Sequence, residues 1–193
     1  MSVIRAFIAI DLSPDIRQGL EQVSKQLKDQ LVDIPIRWVP VENIHLTLMF
    51  LGDVSINNLE MLKKILQNEV GGHQAFEFSV GGLGAFPNLR HPRVLWVGVE
   101  APAELSNIQR GVETSVSRLG YDREDRPFSA HLTLGRVSRN ATSKDTHSIC
   151  DVLDATKIGF LGVAHVNTVH LMRSDLRPTG AIYTRIFSAV LQE

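Results

Sequence analysis

The tetrad His-Leu-Thr-Leu occurs twice in this chain of 193 residues, at 45–48 and again at 131–134, 86 positions apart. The patterns around it recur as well. An apolar run at 5–12 (RAFIAIDL) leads to helix-spaced apolar residues, the first tetrad, a second helix-spaced set and the run FEFSVGGLGAF at 76–86. At 93–100 (RVLWVGVE) the series restarts and meets the second tetrad in the same place. A near-constant offset of 86 to 88 residues marks the internal duplication of one long unit. A single repeat of so long a unit predicts two pseudo-symmetric lobes, not a solenoid. No stretch rich in Pro, Gly or Ser divides them, so one bilobal domain over 1–193 is expected.

Local signals place the elements. Ser13-Pro14-Asp15 reads as an N-cap, a proline at the first helical position and a first-turn acid. Ile16, Leu20, Val23, Leu27 and Leu31 then give an amphipathic helix over 14–31. IHLTLMFL (44–51) reads as a strand closed by Gly52-Asp53, and Leu59, Leu62, Ile65 and Leu66 as a helix ending near Gly71-Gly72. The run at 76–86 reads as a strand and then a glycine-rich turn, followed by a loop over 86–93. Pro102 opens a helix carrying Leu105, Ile108, Val112 and Val116, stopped at Gly120. A polar loop at 121–130, a strand at 131–137 and a helix at 143–153 follow. Strands are expected within 158–174 and 181–191, around a turn at 177–180.

In a strand, alternate side chains share a face. His45 and Thr47 therefore point one way and Leu46 and Leu48 the other, and likewise for His131, Thr133, Leu132 and Leu134. The leucines suit a core. If the lobes pack about a pseudo-two-fold axis, both His-Thr pairs meet in one cleft. Two imidazoles near neutral pH supply a base and an acid, and two hydroxyls can donate to an anionic oxygen. A phosphodiester uses all four: one histidine activates water, the other protonates the departing oxygen, and the threonines hold a non-bridging oxygen. This chemistry calls for no metal or cofactor. A lone strand histidine is ordinarily a packing or surface residue. Duplication alone would keep leucine and threonine as strand formers, but histidine has no special place in a core.

Composition narrows the partners. Hydrophobic residues are 44% and charged residues 21%, the balance of a soluble globular protein with a full core. The net charge of −1 attracts no polyanion globally, so nucleic acid would be held at a local site. The only cysteine, Cys150, allows no intrachain disulfide, and no Cys/His spacing resembles a zinc site. The opening MSVIRAFIAIDL, charged at Arg5 and Asp11, lacks the signal-peptide pattern, and no apolar run reaches membrane-spanning length. A cytoplasmic monomer, without membrane association, is expected.

The paired motifs resemble the 2H phosphoesterase superfamily, which is defined by two His-x-Thr/Ser-x motifs. Within it the chain is most similar to the RNA 2′,3′-cyclic phosphodiesterases, also called 2′–5′ RNA ligases. RAFIAIDL, ENIHLTLMFLG (42–52), GLGAFPNLRHPRVLWVGV (82–99) and RPFSAHLTLGR (126–136) carry the resemblance over nearly the whole chain. It implies an α+β fold: two lobes, each an antiparallel sheet with helices on its outer face, around a central cleft. It also implies hydrolysis of an RNA-terminal 2′,3′-cyclic phosphate to a 2′-phosphate, with His45 as proton donor and His131 as proton acceptor. The rival readings are 2′–5′ ligation, phosphodiester hydrolysis in a small nucleotide or 2′–5′ oligonucleotide, and a nucleotide-binding module without activity.

Secondary candidates surround this core. Thr47, Thr133 and Arg136 are the expected phosphate ligands. Alternation puts Arg136 on the face away from His131, unless a bend after Gly135 returns it. Arg90, His91 and Arg93 offer a basic loop, and Phe128 a ring for stacking or packing. Ser174 and Tyr183 have weaker claims. His73, His147, His165 and His170 have no metal-like spacing and read mostly as surface or packing residues.

Overall fold

A computed structural model describes residues 2–123, 126–178 and 180–193. Strand β1 (Val3–Ile10) is followed by helix α1 (Pro14–Gln30), the short strand β2 (Ile36–Trp38), a 3-10 turn at Val41–Asn43 and strand β3 (Leu46–Ser55). Helix α2 (Leu59–Val70) and strand β4 (Phe76–Phe86) complete the first half. The second half runs β5 (Val94–Glu100), α3 (Ala103–Ser117), β6 (His131–Val137), α4 (Ser143–Ala155), β7 (Phe160–Val166), β8 (Thr168–Arg177) and β9 (Gly180–Val190). Parts of the expected loop at 121–130 and of the turn at 177–180, namely Glu124, Asp125 and Thr179, lie outside the described residues.

Helix signals translate directly. Ser13 caps α1 by accepting from the Ile16 amide, with Pro14 at the first turn. Thr142 and Asp145 form a capping box on α4. The helices bury one face each, through Leu20 and Leu27, Leu62 and Leu66, Ile108 and Val112, and Ile149 and Leu153. No helix among the described residues is long and apolar enough to cross a membrane.

The named strands pair antiparallel in the order β7-β4-β5-β6-β3-β1-β8-β9, with β2 added to β6. The two tetrad strands are the central neighbours. They join at one register pair, Leu46 with Leu132, so the sheet folds about this seam into two lobes. Each half lends strands across it. β4, from the first half, pairs with β5 and β7, while β8 and β9, from the second, pair beside β1. Duplication in sequence does not reveal such an exchange, because pairing between distant segments is a tertiary choice.

Three strand expectations change. Gly52-Asp53 does not end β3, which continues to Ser55. Gly52 has φ 65 and the register against β1 slips between Ala6 and Phe7, so the glycine marks a β-bulge. The glycines of 76–86 likewise lie inside β4, with a slip between Gly81 and Leu83 and φ 73 at Gly82. At Gly84 a Cβ would lie 2.3 Å from the Trp96 ring, so only glycine leaves room for that indole. Strand β2 carries no alternation long enough to announce it, and its pairing with β6 creates it.

Candidate active site

The seam sets the site. Leu46 and Leu132 are fully buried, as are Leu48 and Leu134, so all four leucines face the core and helices. The half-buried His45, Thr47, His131 and Thr133 take the other face. Extending the antiparallel register from Leu46 and Leu132 sets His45 opposite Thr133 and Thr47 opposite His131. Diagonal neighbours in such a pair lie about 7–8 Å apart, room for one phosphate between the two imidazoles. The convergence expected from pseudo-symmetry is thus a register property of two adjacent strands.

Both rings are oriented alike. His45 Nδ1 lies 2.8 Å from the Asn43 carbonyl and His131 Nδ1 lies 2.7 Å from the Ser129 carbonyl. A carbonyl only accepts, so each Nδ1 donates and each Nε2 is left for the cleft. Neither threonine hydroxyl bonds to a described residue, so both remain free to donate to a ligand. Aromatic rings brace the pair. Phe7 stacks on His45 at 4.7 Å and Tyr183 meets it edgewise at 5.2 Å. On the other lobe Phe86 meets His131 edgewise at 4.8 Å and lies 5.3 Å from Trp96.

Burial pushes both imidazoles below the ordinary value of 6.5, and the backbone carbonyl on each opposes that shift. The nearby charges differ. The Asp11 carboxylate favours the His45 imidazolium, with Arg17 opposing it more weakly, whereas Arg136 disfavours the His131 imidazolium.

A cavity of about 290 Å³ opens beside His45, bordered by Asp11, Arg17, His170, Met172, Tyr183 and Arg185. Asp11 accepts from Arg17 at 3.4 Å and also from Arg185. Arg17 in addition donates to the carbonyls of Leu12, Val41 and Glu42. It thereby holds the 3-10 turn whose Asn43 carbonyl orients His45. His170 is buried, hydrogen-bonded to Ser188 at 2.9 Å, and has its pKa lowered by burial and by Arg185.

The expected site residues separate clearly. His45, Thr47, His131 and Thr133 come together, and Arg136 joins them by a route different from the expected bend. The β5–β6 register slips between Leu95 and Trp96, leaving Leu134 as a bulge residue. That extra residue inverts the alternation, and exposed Arg136 returns to the face of Thr133. Tyr183, with a weak claim from sequence, borders the cavity, and Ser174 is its cross-strand partner. Phe128 packs against the core. Arg93 ties its loop to the Ser138 carbonyl, and Arg90 lies near Cys150, whose thiol donates to the Leu89 carbonyl. Burial raises the Cys150 pKa. Arg17, His170 and Arg185 carried no motif, and Asp11 stood only as the acid near the end of the run at 5–12. Only the fold brings them together.

Known proteins resemble the whole chain. It is 35% identical to the RNA 2′,3′-cyclic phosphodiesterase of Methanothermobacter thermautotrophicus, over 94% of this chain and 95% of that protein. It is 34% identical to that of Archaeoglobus fulgidus, over 93% and 96%. Among solved structures, Escherichia coli LigT complexed with 3′-AMP superposes with a TM-score of 0.80 at 26% identity, covering 100% of both chains. The profile of the LigT-like phosphoesterases matches residues 10–96 and then again 97–183. The tetrads fall one in each match, and the chain belongs to the LigT-like phosphoesterase family.

Proposed function

We propose that this protein hydrolyses the 2′,3′-cyclic phosphodiester at an RNA end to a 2′-phosphomonoester, acting as one bilobal unit. The observation that carries the reading is the His45–Thr47–His131–Thr133 quartet on one sheet face, each imidazole presenting Nε2 to the cleft. The names of the full-length relatives support the substrate class, as do the nucleotides in complexes of E. coli LigT, among them 3′-AMP and ATP. His131 Nε2 takes a proton from water as its oxygen attacks phosphorus. The P–O3′ bond breaks, and His45 Nε2–H delivers a proton to O3′. Thr47, Thr133 and Arg136 hold the non-bridging oxygens, where negative charge grows. The sign of the nearby charges supports this order, since Asp11 favours the protonated His45 and Arg136 the neutral His131.

Incubation in chelator with an RNA ending in a 2′,3′-cyclic phosphate is expected to yield a 2′-phosphate end. A 3′-phosphate end, or a requirement for added metal ion, overturns the reading.

The pH dependence follows from the same geometry. The base must be neutral, so kcat/KM rises with pH through the lower apparent pKa. The acid must be protonated, so the rate falls above the higher one. Burial lowers both rings, so the kcat/KM bell should centre on the acid side of 6.5. A bound phosphate anion favours both imidazolium forms, so the kcat bell should move to higher pH. Both limbs belong to the coupled pair. Initial rates across pH 4–9, at subsaturating and saturating substrate, check this (roughly the range that a histidine pair spans).

A further inference from the structure

The two halves treat their histidines differently. Extending the β1–β3 register past Ala9–Thr47 and Ile10–Leu46 sets Asp11 opposite His45. In the second half the residue opposite His131 is Gly98. Asp11 and Gly98 are 87 positions apart, within the offset of the duplication, so they hold the same place in the two repeats. No side chain fits at Gly98, where a Cβ would lie 2.7 Å from the Gly81 carbonyl oxygen. Residues paired on one strand face have Cβ atoms about 4.5–5.5 Å apart, so the Asp11 carboxylate stands beside the His45 ring. Both border the same cavity.

The carbonyl that orients His45 is also held in a way of its own. Asn43 ends a 3-10 turn of three residues, too short to fix its own place. Arg17 reaches that turn from α1. Its Nη1 donates to the carbonyls of Val41 at 3.1 Å and Glu42 at 2.9 Å, its Nε to Leu12 at 3.1 Å and its Nη2 to Asp11 at 3.4 Å. One guanidinium thereby ties the turn to the end of the strand that carries Asp11. From the other side Asn43 Nδ2 donates to the Ala181 carbonyl on β9 at 3.0 Å. A lysine could not replace the guanidinium, because an ammonium is a point charge without a planar fork. The first two turns of α3 (103–109) carry no arginine.

We propose that Asp11 and Arg17 are positioning residues that commit His45, of two duplicated histidines, to the acid role. The proposal rests on the phosphodiesterase reading above and deepens it. Arg17 fixes the turn that aims Nε2, and Asp11 supplies the carboxylate that the second half lacks. An acid must enter the reaction charged and a base neutral. A carboxylate opposite His45 favours the imidazolium, and a glycine opposite His131 does not. Arg17 and Arg185 both donate to Asp11 and so hold its carboxylate in place. The other titratable groups around His45 are Glu42 on its own turn, His170 on β8, Tyr183 on β9 and His131 across the seam. Among the charges acting on the ring, Asp11 favours the imidazolium more than Arg17 opposes it.

An NMR titration of the histidines without substrate tests the charge, and two substrates test the role. Asp11→Asn keeps an acceptor for Arg17 and removes the carboxylate. In that variant His45 should titrate at lower pH than in wild type, with His131 moved less. The ring then loses its proton earlier, so the alkaline limb of kcat/KM on an RNA 2′,3′-cyclic phosphate should move to lower pH as well. Arg17→Lys should lower kcat on that substrate by up to about 10²-fold, the cost of a misplacement of about 1 Å. On a nitrophenyl phosphodiester, whose leaving oxygen needs no proton, most of either loss should vanish. Losses of equal size on both substrates would mark a merely structural role and overturn the proposal. An unmoved His45 titration in Asp11→Asn overturns it too. If wild-type protein cleaves neither substrate, the phosphodiesterase reading fails and the acid role with it, an outcome that the substrate-free titration keeps distinct from a failure of Asp11 alone.

Discussion

Replacing His131 with alanine is expected to lower kcat/KM on an RNA 2′,3′-cyclic phosphate by about 10²–10⁴-fold, the usual contribution of one positioned acid or base. That corresponds to about 2.7–5.4 kcal/mol of transition-state stabilisation. The His131 ring is half-buried and bonds only to the Ser129 carbonyl among described residues, so the fold should survive its loss. His45→Ala should cost a similar factor on the same substrate. The two variants separate when the leaving group changes. A phosphodiester whose leaving oxygen needs no proton, such as a nitrophenyl ester, should recover much of its rate with His45→Ala and none with His131→Ala. Recovery in the opposite variant would reverse the acid and base. Removing both histidines should cost little more than removing one, because they act as a unit.

The second large effect belongs to the leucines. Leu132 is fully buried and pairs with Leu46 at the register contact that joins the two lobes. Leu132→Ala should destabilise the protein by about 2–5 kcal/mol. That is a large fraction of the roughly 5–15 kcal/mol that holds a typical domain. Urea unfolding checks this through the midpoint. Turnover should fall as well, measured well below the unfolding transition, because the same pair sets His45 opposite Thr133. Thr133→Val makes the contrast: slower turnover with a midpoint close to wild type. Leu46→Ala combined with Leu132→Ala should deviate from additivity, since the two side chains touch one seam. A Leu132→Ala protein with wild-type midpoint and wild-type rate would show that the seam does not hold the site.

Much of the arrangement is legible in residue order. Ser13-Pro14 starts α1 where expected, and the 3.6-residue spacing of Ile16, Leu20, Val23 and Leu27 identifies its buried face. The spacing of Leu105, Ile108, Val112 and Val116 does the same for α3. These are local properties, decided within one or two turns of chain. The strands were legible as segments and misjudged at their glycines. Gly52 and Gly82 adopt positive φ inside β3 and β4, and a turn cannot be told from a bulge until the partner strand is known.

The sequence by itself determined the duplication, the four polar groups of the quartet, and the division of each tetrad into core leucines and outward His-Thr. Period-two alternation needs no partner, so four residues suffice to read it. Tertiary structure decided the rest. It paired the tetrads at Leu46 and Leu132, exchanged strands between lobes, and brought Asp11 and Arg185 from opposite ends of the chain to the cavity beside His45. It also inserted the bulge at Leu134, which returned Arg136 to the face of Thr133 against the expected alternation. A bulge is a mismatch in count between two strands, so neither strand records it alone. That is why the histidine pair could be read from the tetrads, while its surroundings could only be seen once the strands had found each other.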